Sequence, residues 1–103
     1  MRGAGARRVT PAKPVDPALT ALRTELEAVD GEIVRLIARR VETARAIGAH
    51  KRAVGLPTLD ASREAAVVRR AATLARAANL PEEPVRAIFW QVVDLCRRAQ
   101  EEG

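Results

Sequence analysis

Residues 33–51 read IVRLIARRVETARAIGAHK. Wound as an α-helix at about 100° per residue, Ile33 and Ile47 fall roughly 20° from Arg40, Leu36 and Ala44 about 40°, and Lys51 again about 20°. Two cations therefore occupy the centre of an otherwise apolar stripe. Burying an unpaired cation costs several kcal/mol, so both require anions. Asp30 is about 15 Å from Arg40 along the axis, whereas Asp60 and Glu64 in the following segment are candidate internal partners. Periodicity leaves two readings open. The cations belong to structural ion pairs or snorkel to solvent, or they line a pocket that holds a small polyanion.

The same period extends in both directions. Leu19, Leu22, Leu26, Val29, Ile33, Leu36, Ile37, Ala44 and Ile47 recur at helical spacing, which predicts one helix of about 35 residues from Pro17 to Ala53, with Gly31 and Gly48 as weak points. Gly55, Pro57 and Thr58 mark a loop. A second helix begins near Asp60 or Ala61, where Asp60 can cap the first turn, and stops near Asn79, a residue suited to a left-handed C-terminal position. Pro81, Glu82 and Glu83 suit the start of a third helix that carries Val85, Ile88, Phe89, Val92, Val93, Cys96 and Gln100 near one face. No strand pattern and no internal repeat is visible. The fold class is all-α, with three helices of which one is very long. Residues 1–17, with their prolines, glycines and arginines, read as a flexible basic tail, leaving 18–103 as the helical domain.

A helix of 35 residues is about 50 Å long, whereas a compact domain of roughly 100 residues is about 35 Å across. Its apolar stripe needs cover at both ends. An intertwined two-fold dimer, in which two such helices cross antiparallel, supplies that cover. Arg40 and Lys51, about 16 Å apart along the axis, can lean toward one ligand between them. Arg23 is about 25 Å from Arg40 and cannot reach that ligand from the same chain, but an antiparallel partner can deliver it.

The chain of 103 residues is 48% hydrophobic and 30% charged, a globular balance, and one Phe, one Trp and no Tyr favour helices. Four basic residues and one acid fall within residues 1–17, so only +2 of the net charge of +5 remains for the rest. That remainder alternates in sign, without the continuous basic stripe of a nucleic-acid-binding face. A basic helical adaptor or nucleic-acid-binding dimer is the remote alternative, and strong DNA retention surviving deletion of residues 1–17 would favour it. The single cysteine suits a reducing compartment and offers no metal cluster. No run reaches membrane-spanning length and the start lacks a signal-type apolar core, so the expected location is cytoplasmic. His50 lies about 100° from Lys51, away from the stripe centre, and no constellation resembles a hydrolytic triad.

Arg23, Asp30, Arg40 and Lys51 follow one another at intervals of 7, 10 and 11 residues, then come DASRE at 60–64 and IFWQVVDLCRRAQ at 88–100. This ordered set resembles the all-helical, AroQ-type chorismate mutases over residues 19–100. The resemblance implies an intertwined helical homodimer, an isomerase that rearranges chorismate to prephenate on the route to phenylalanine and tyrosine. It implies that Arg40, with Arg23 donated by the partner chain, grips the two substrate carboxylates, for which guanidinium geometry is suited. Lys51 and Gln100 would hydrogen-bond the ether oxygen of the breaking bond. Glu64, with the backbone near Asp60, would orient the ring hydroxyl, and Arg63 would add positive field near a carboxylate. Cys96 aligns where some relatives carry a serine that holds the ring carboxylate. A thiol is a weaker donor than a hydroxyl, so Cys96 is either a ligand contact or a plain core thiol.

The reaction so implied is concerted and intramolecular, needing no nucleophile, general base, metal or cofactor. Relatives of the same fold eliminate pyruvate from isochorismate or rearrange the 4-amino analogue of chorismate, and fold alone does not separate these. The DASRE segment looks more like the mutases, and Asp60 with Glu64 favours the hydroxyl substrate. A chain of this length leaves feedback control to another protein, and an upstream shikimate-pathway enzyme is a possible activating partner.

Overall fold

The computed structural model describes residues 15–102. It is all-helical among these residues, with α1 at Pro17–Val54, α2 at Ala61–Ala77 and α3 at Glu82–Glu102. The sequence-based boundaries are met to within two residues. Residues 1–14 of the expected basic tail lie outside the described residues.

Local chemistry sets each boundary. Asp16 accepts from the backbone N–H groups of Ala18 and Leu19 at 3.0 and 3.3 Å, and Pro17, which has no N–H to lose, opens α1. At the other end Gly55 adopts φ +75°, and the N–H of Leu56 returns to the Lys51 carbonyl at 2.8 Å while that of Gly55 returns to Arg52. These are the two bonds of a Schellman cap. Asp60 caps α2 as the sequence predicts, accepting from the Arg63 N–H at 2.9 Å. The second Schellman cap closes α2: Asn79 takes φ 60°, Leu80 N–H reaches the Ala75 carbonyl, and Asn79 N–H reaches Arg76. Arg76 then reaches forward to Glu82 at 2.7 Å, tying the end of α2 to the start of α3; that hydrogen bond holds the Glu82 carboxyl below its ordinary range.

The described chain divides into two compact units between Ile33 and Val34. The first is the leading half of α1. Its apolar positions are exposed, Leu22 at 63% and Leu26 at 61%, with Leu19, Val29 and Ile33 also open. The second unit holds the rest of α1 with α2 and α3, and its core is built of small residues. Val68, Ala71, Ala72 and Ala75 face inward from α2, Val93, Cys96 and Ala99 from α3, and Ala44 from α1. Spacings of three and four residues put each set on one helix face.

The stripe predicted on α1 is therefore not the core of this chain. Of its nine positions only Ala44 is buried and Ile37 half-buried, while Leu36 and Ile47 stay exposed. On α3 the face is rotated slightly: Val93 and Cys96 are buried as expected, Ala99 joins them, and Ile88 is 59% exposed.

Gly48 sets how closely α1 and α3 meet. A Cβ there would run into the Gln100 carbonyl oxygen and stand 2.8 Å from the Gln100 Cα. Arg52 closes the same contact by donating to the Gln100 carbonyl at 2.6 Å. An exposed helical Gly→Ala change normally stabilises by about 1 kcal/mol. Here Gly48→Ala must push two backbones apart, so we expect it to destabilise by about 1–3 kcal/mol in urea unfolding, reversing the ordinary sign.

Candidate active site

A cavity of about 470 Å³ opens between the second half of α1, the α2 N-terminus and the last turns of α3. That lies within the roughly 300–1,000 Å³ of ordinary small-molecule sites. Seven of the eight residues singled out from sequence line it: Arg40, Lys51, Asp60, Arg63, Glu64, Cys96 and Gln100. All belong to the second unit. Arg23, the eighth, belongs to the first and is exposed on α1.

α1 supplies Arg40 and Lys51, whose separation of three turns places both on the face turned toward α3. Arg40 is half-buried and its Nη1 donates to the Cys96 thiol at 2.9 Å. Cys96 is 4% exposed and packs with Ala44 and Ala99 as a core thiol does, and its sulfur is the acceptor that holds the Arg40 guanidinium. Lys51 Nζ donates to the Thr58 carbonyl at 3.0 Å and to Gln100 Oε1 at 3.3 Å. The Thr58 carbonyl is in the loop that follows α1, so the Schellman turn at Gly55 brings the lysine its acceptor.

The expected internal counter-ions do not materialise at either cation. Among the described residues, neither Arg40 nor Lys51 forms an ion pair. Glu64 is instead held by Arg97, Nε to Oε2 at 2.9 Å and Nη2 to Oε1 at 2.8 Å. Asp60 spends Oδ1 on capping α2. Arg40 and Lys51 are thus positioned by neutral acceptors, a thiol, an amide and a carbonyl, which orient a charge without cancelling it. No described residue that is charged or polar is fully buried, so both cations stand at the wall of the cavity rather than beneath it.

Arg97 is the site residue that sequence reasoning missed. It precedes Gln100 by three residues, one helical turn, which is the signal that would have placed it on the same face. Thr43, Ile47, Val67 and Val93 complete an apolar and hydroxyl-bearing wall. His50 is exposed and takes no part in the lining, consistent with its angular position. Among the described residues, no cluster of three or more His, Cys, Asp or Glu side chains is placed to hold a metal ion. No described helix is long and apolar enough to cross a membrane.

Chemically, the cavity offers two uncompensated cations, a further arginine at its mouth, an amide whose N–H groups are free of the Lys51 contact, and a neutralised carboxylate. This composition suits a small organic dianion that also carries a hydroxyl and an acceptor oxygen.

Comparison with known proteins agrees with that chemistry. The family model described as chorismate mutase type II matches residues 22–101. The chain is 37% identical over 84% of its length to a 3-dehydroquinate dehydratase of Pyrobaculum aerophilum, of which it spans 25%. It is 31% identical to the T-protein of Enterobacter agglomerans, spanning 20% of that protein, and 41% identical over 52% of its own length to the intracellular chorismate mutase of Mycobacterium tuberculosis, spanning 51% of it. The chain thus spans a quarter or less of the first two relatives and about half of the third. A solved structure, a conserved hypothetical protein from Pyrococcus furiosus, superposes with a TM-score of 0.67 at 31% identity, covering 84% of this chain and 99% of that one. On the match across residues 22–101, the chain belongs to the chorismate mutase type II family.

Proposed function

We propose that the protein is a chorismate mutase, converting chorismate to prephenate by an intramolecular Claisen rearrangement in the biosynthesis of phenylalanine and tyrosine. The observation that carries this reading is the pairing of Lys51 with Gln100 at 3.3 Å beside an Arg40 held only by the Cys96 thiol. In the proposed complex Arg40 binds one substrate carboxylate through its guanidinium, and Arg63 adds positive field. Lys51 and the Gln100 amide N–H converge on the ether oxygen. Gln100 already gives its carbonyl oxygen to Lys51, which leaves its amide nitrogen as the donor. Glu64 accepts from the ring hydroxyl, with Asp60 alongside.

Two effects then lower the barrier. Clamping both carboxylates selects the compact conformer with the reacting carbons close together. Negative charge growing on the ether oxygen meets a full positive charge at Lys51 and a dipole at Gln100, both in place beforehand. Loss of one such donor is expected to cost about 3 kcal/mol, roughly a hundredfold in rate, by analogy with other preorganised oxyanion donors.

The exposed stripe of the leading half of α1 supports a homodimer as part of this proposal. Leu19, Leu22, Leu26, Val29 and Ile33 form a contiguous apolar row that a single chain leaves open to water. Antiparallel apposition with a second α1 covers it and brings the partner copy's Arg23 to the second carboxylate.

Three outcomes test the proposal. Purified protein should consume chorismate, with prephenate identified as phenylpyruvate after acid treatment; product other than prephenate, or turnover of isochorismate in its place, refutes the assignment. Arg40→Ala should abolish this activity while the circular dichroism spectrum and dimer mass are retained, because removing an unpaired cation leaves no orphaned acid behind. Unfolding of that variant would instead mark Arg40 as structural. Mixing inactive Arg23→Ala and Arg40→Ala chains should restore activity through one intact site per mixed dimer, and no recovery after verified subunit exchange rules out donation of Arg23 in trans.

A further inference from the structure

Glu64 is clasped by Arg97 in a two-pronged ion pair whose side chains are 18% and 31% exposed. The remaining guanidinium nitrogen, Nη1, donates to Asp94 at 3.0 Å, so all three Arg97 nitrogens are committed and the group is fixed. The Glu64 hydrogen bonds also raise the Arg97 pKa above its ordinary value, so it is a permanent charge. Neither the motif spacing nor the resemblance assigns Arg97 any role. The following inference rests on the proposed reaction, in which Glu64 meets the ring hydroxyl.

An ionised carboxylate accepts about four hydrogen bonds, and Arg97 takes two. Glu64 therefore remains able to accept from a neutral hydroxyl. What it has lost is net charge. A bare glutamate at that point would attract a ring ammonium far more strongly than a hydroxyl, but the guanidinium bound to it offsets that charge, and Asp94, the acid on Arg97 Nη1, is itself paired with Arg98 at 2.8 Å, so the four groups together are neutral. The charge of the whole lining agrees. Arg40, Lys51, Arg63 and Arg97 against Asp60 and Glu64 leave a net of two positive charges, to which the partner's Arg23 adds a third in the proposed dimer, so the lining favours a dicarboxylate whose third polar group is uncharged. Replacing that group with an ammonium removes one of the ligand's net negative charges and adds a cation to a positive site.

We propose that Arg97 is a specificity-determining positioning residue, which neutralises Glu64 and so restricts the site to a dianion bearing a ring hydroxyl, against the analogue bearing a ring ammonium. Discrimination of this kind works by a repulsive element rather than by a better contact to the preferred ligand.

The test compares kcat/KM for chorismate and for its 4-amino analogue at pH 7, where the amine is protonated, in the wild type and in Arg97→Met, Arg97→Gln and Arg97→Lys. Helicity is checked by circular dichroism. The amino-to-hydroxyl ratio should rise about tenfold or more in Arg97→Met and Arg97→Gln, with the gain shrinking at high salt. Arg97→Lys keeps the charge and should hold the ratio near the wild-type value, and it remains informative if the neutral variants lose helicity. An equal fall for both substrates in the neutral variants would show a merely structural role and overturn the proposal. A ratio shifted as far by Arg97→Lys as by Arg97→Met would overturn it too. Wild-type protein inactive on chorismate refutes the proposed reaction instead, and that is read before any variant is compared.

Discussion

The contact at Gly48 is the constraint on which the rest of the second unit depends. With no Cβ at that position, α1 comes against the backbone of Gln100, and the Arg52 guanidinium locks the Gln100 carbonyl from the α1 side. The core residues follow from this proximity: Ala44 beside Cys96 and Ala99, with Val41 and Val92 at the margin. Larger side chains at these places would hold the helices apart and separate Lys51 from Gln100. A core of alanines contributes little apolar area per residue, but it permits the short axis-to-axis distance that a polar contact between side chains on two helices requires.

Close approach also explains how two cations persist at the wall of a site with no acid attached. Each is steadied by a group that accepts a hydrogen bond without carrying charge, the Cys96 thiol for Arg40 and the Thr58 carbonyl with the Gln100 amide for Lys51. Both are only half-buried, so the full penalty of burying a charge is avoided. The acids that might have quenched them are occupied elsewhere, Glu64 by Arg97 and Asp60 by the first turn of α2. The charge left over is the resource that the proposed chemistry uses, because an anion that fills the cavity meets donors already fixed in place.

Much of this was legible in the residues. Helix boundaries were readable because each is set by local chemistry: Asp60 before an apolar period, Gly55 after one, and Asn79 where φ must turn positive. Arg40 and Lys51 declared themselves by breaking a pattern, since a cation at the centre of a greasy stripe has to be explained. Arg97 broke no pattern. It stands in a run of two arginines that both reach Asp94, and its spacing from Gln100 gives its helix face without showing that Glu64, on another helix, is its partner.

What the sequence by itself determined, then, is the order and extent of three helices and the faces on which their charged residues fall, because caps and periodicity act within a few residues of the chain. Tertiary structure decided the partners. Whether Glu64 would answer Arg40 or Arg97, whether the Cys96 thiol would meet Arg40, and whether the α1 stripe would be covered by its own chain all depend on distances between helices far apart in sequence. Those distances are set by side-chain volume at the crossing, Gly48 above all, and no local preference encodes them.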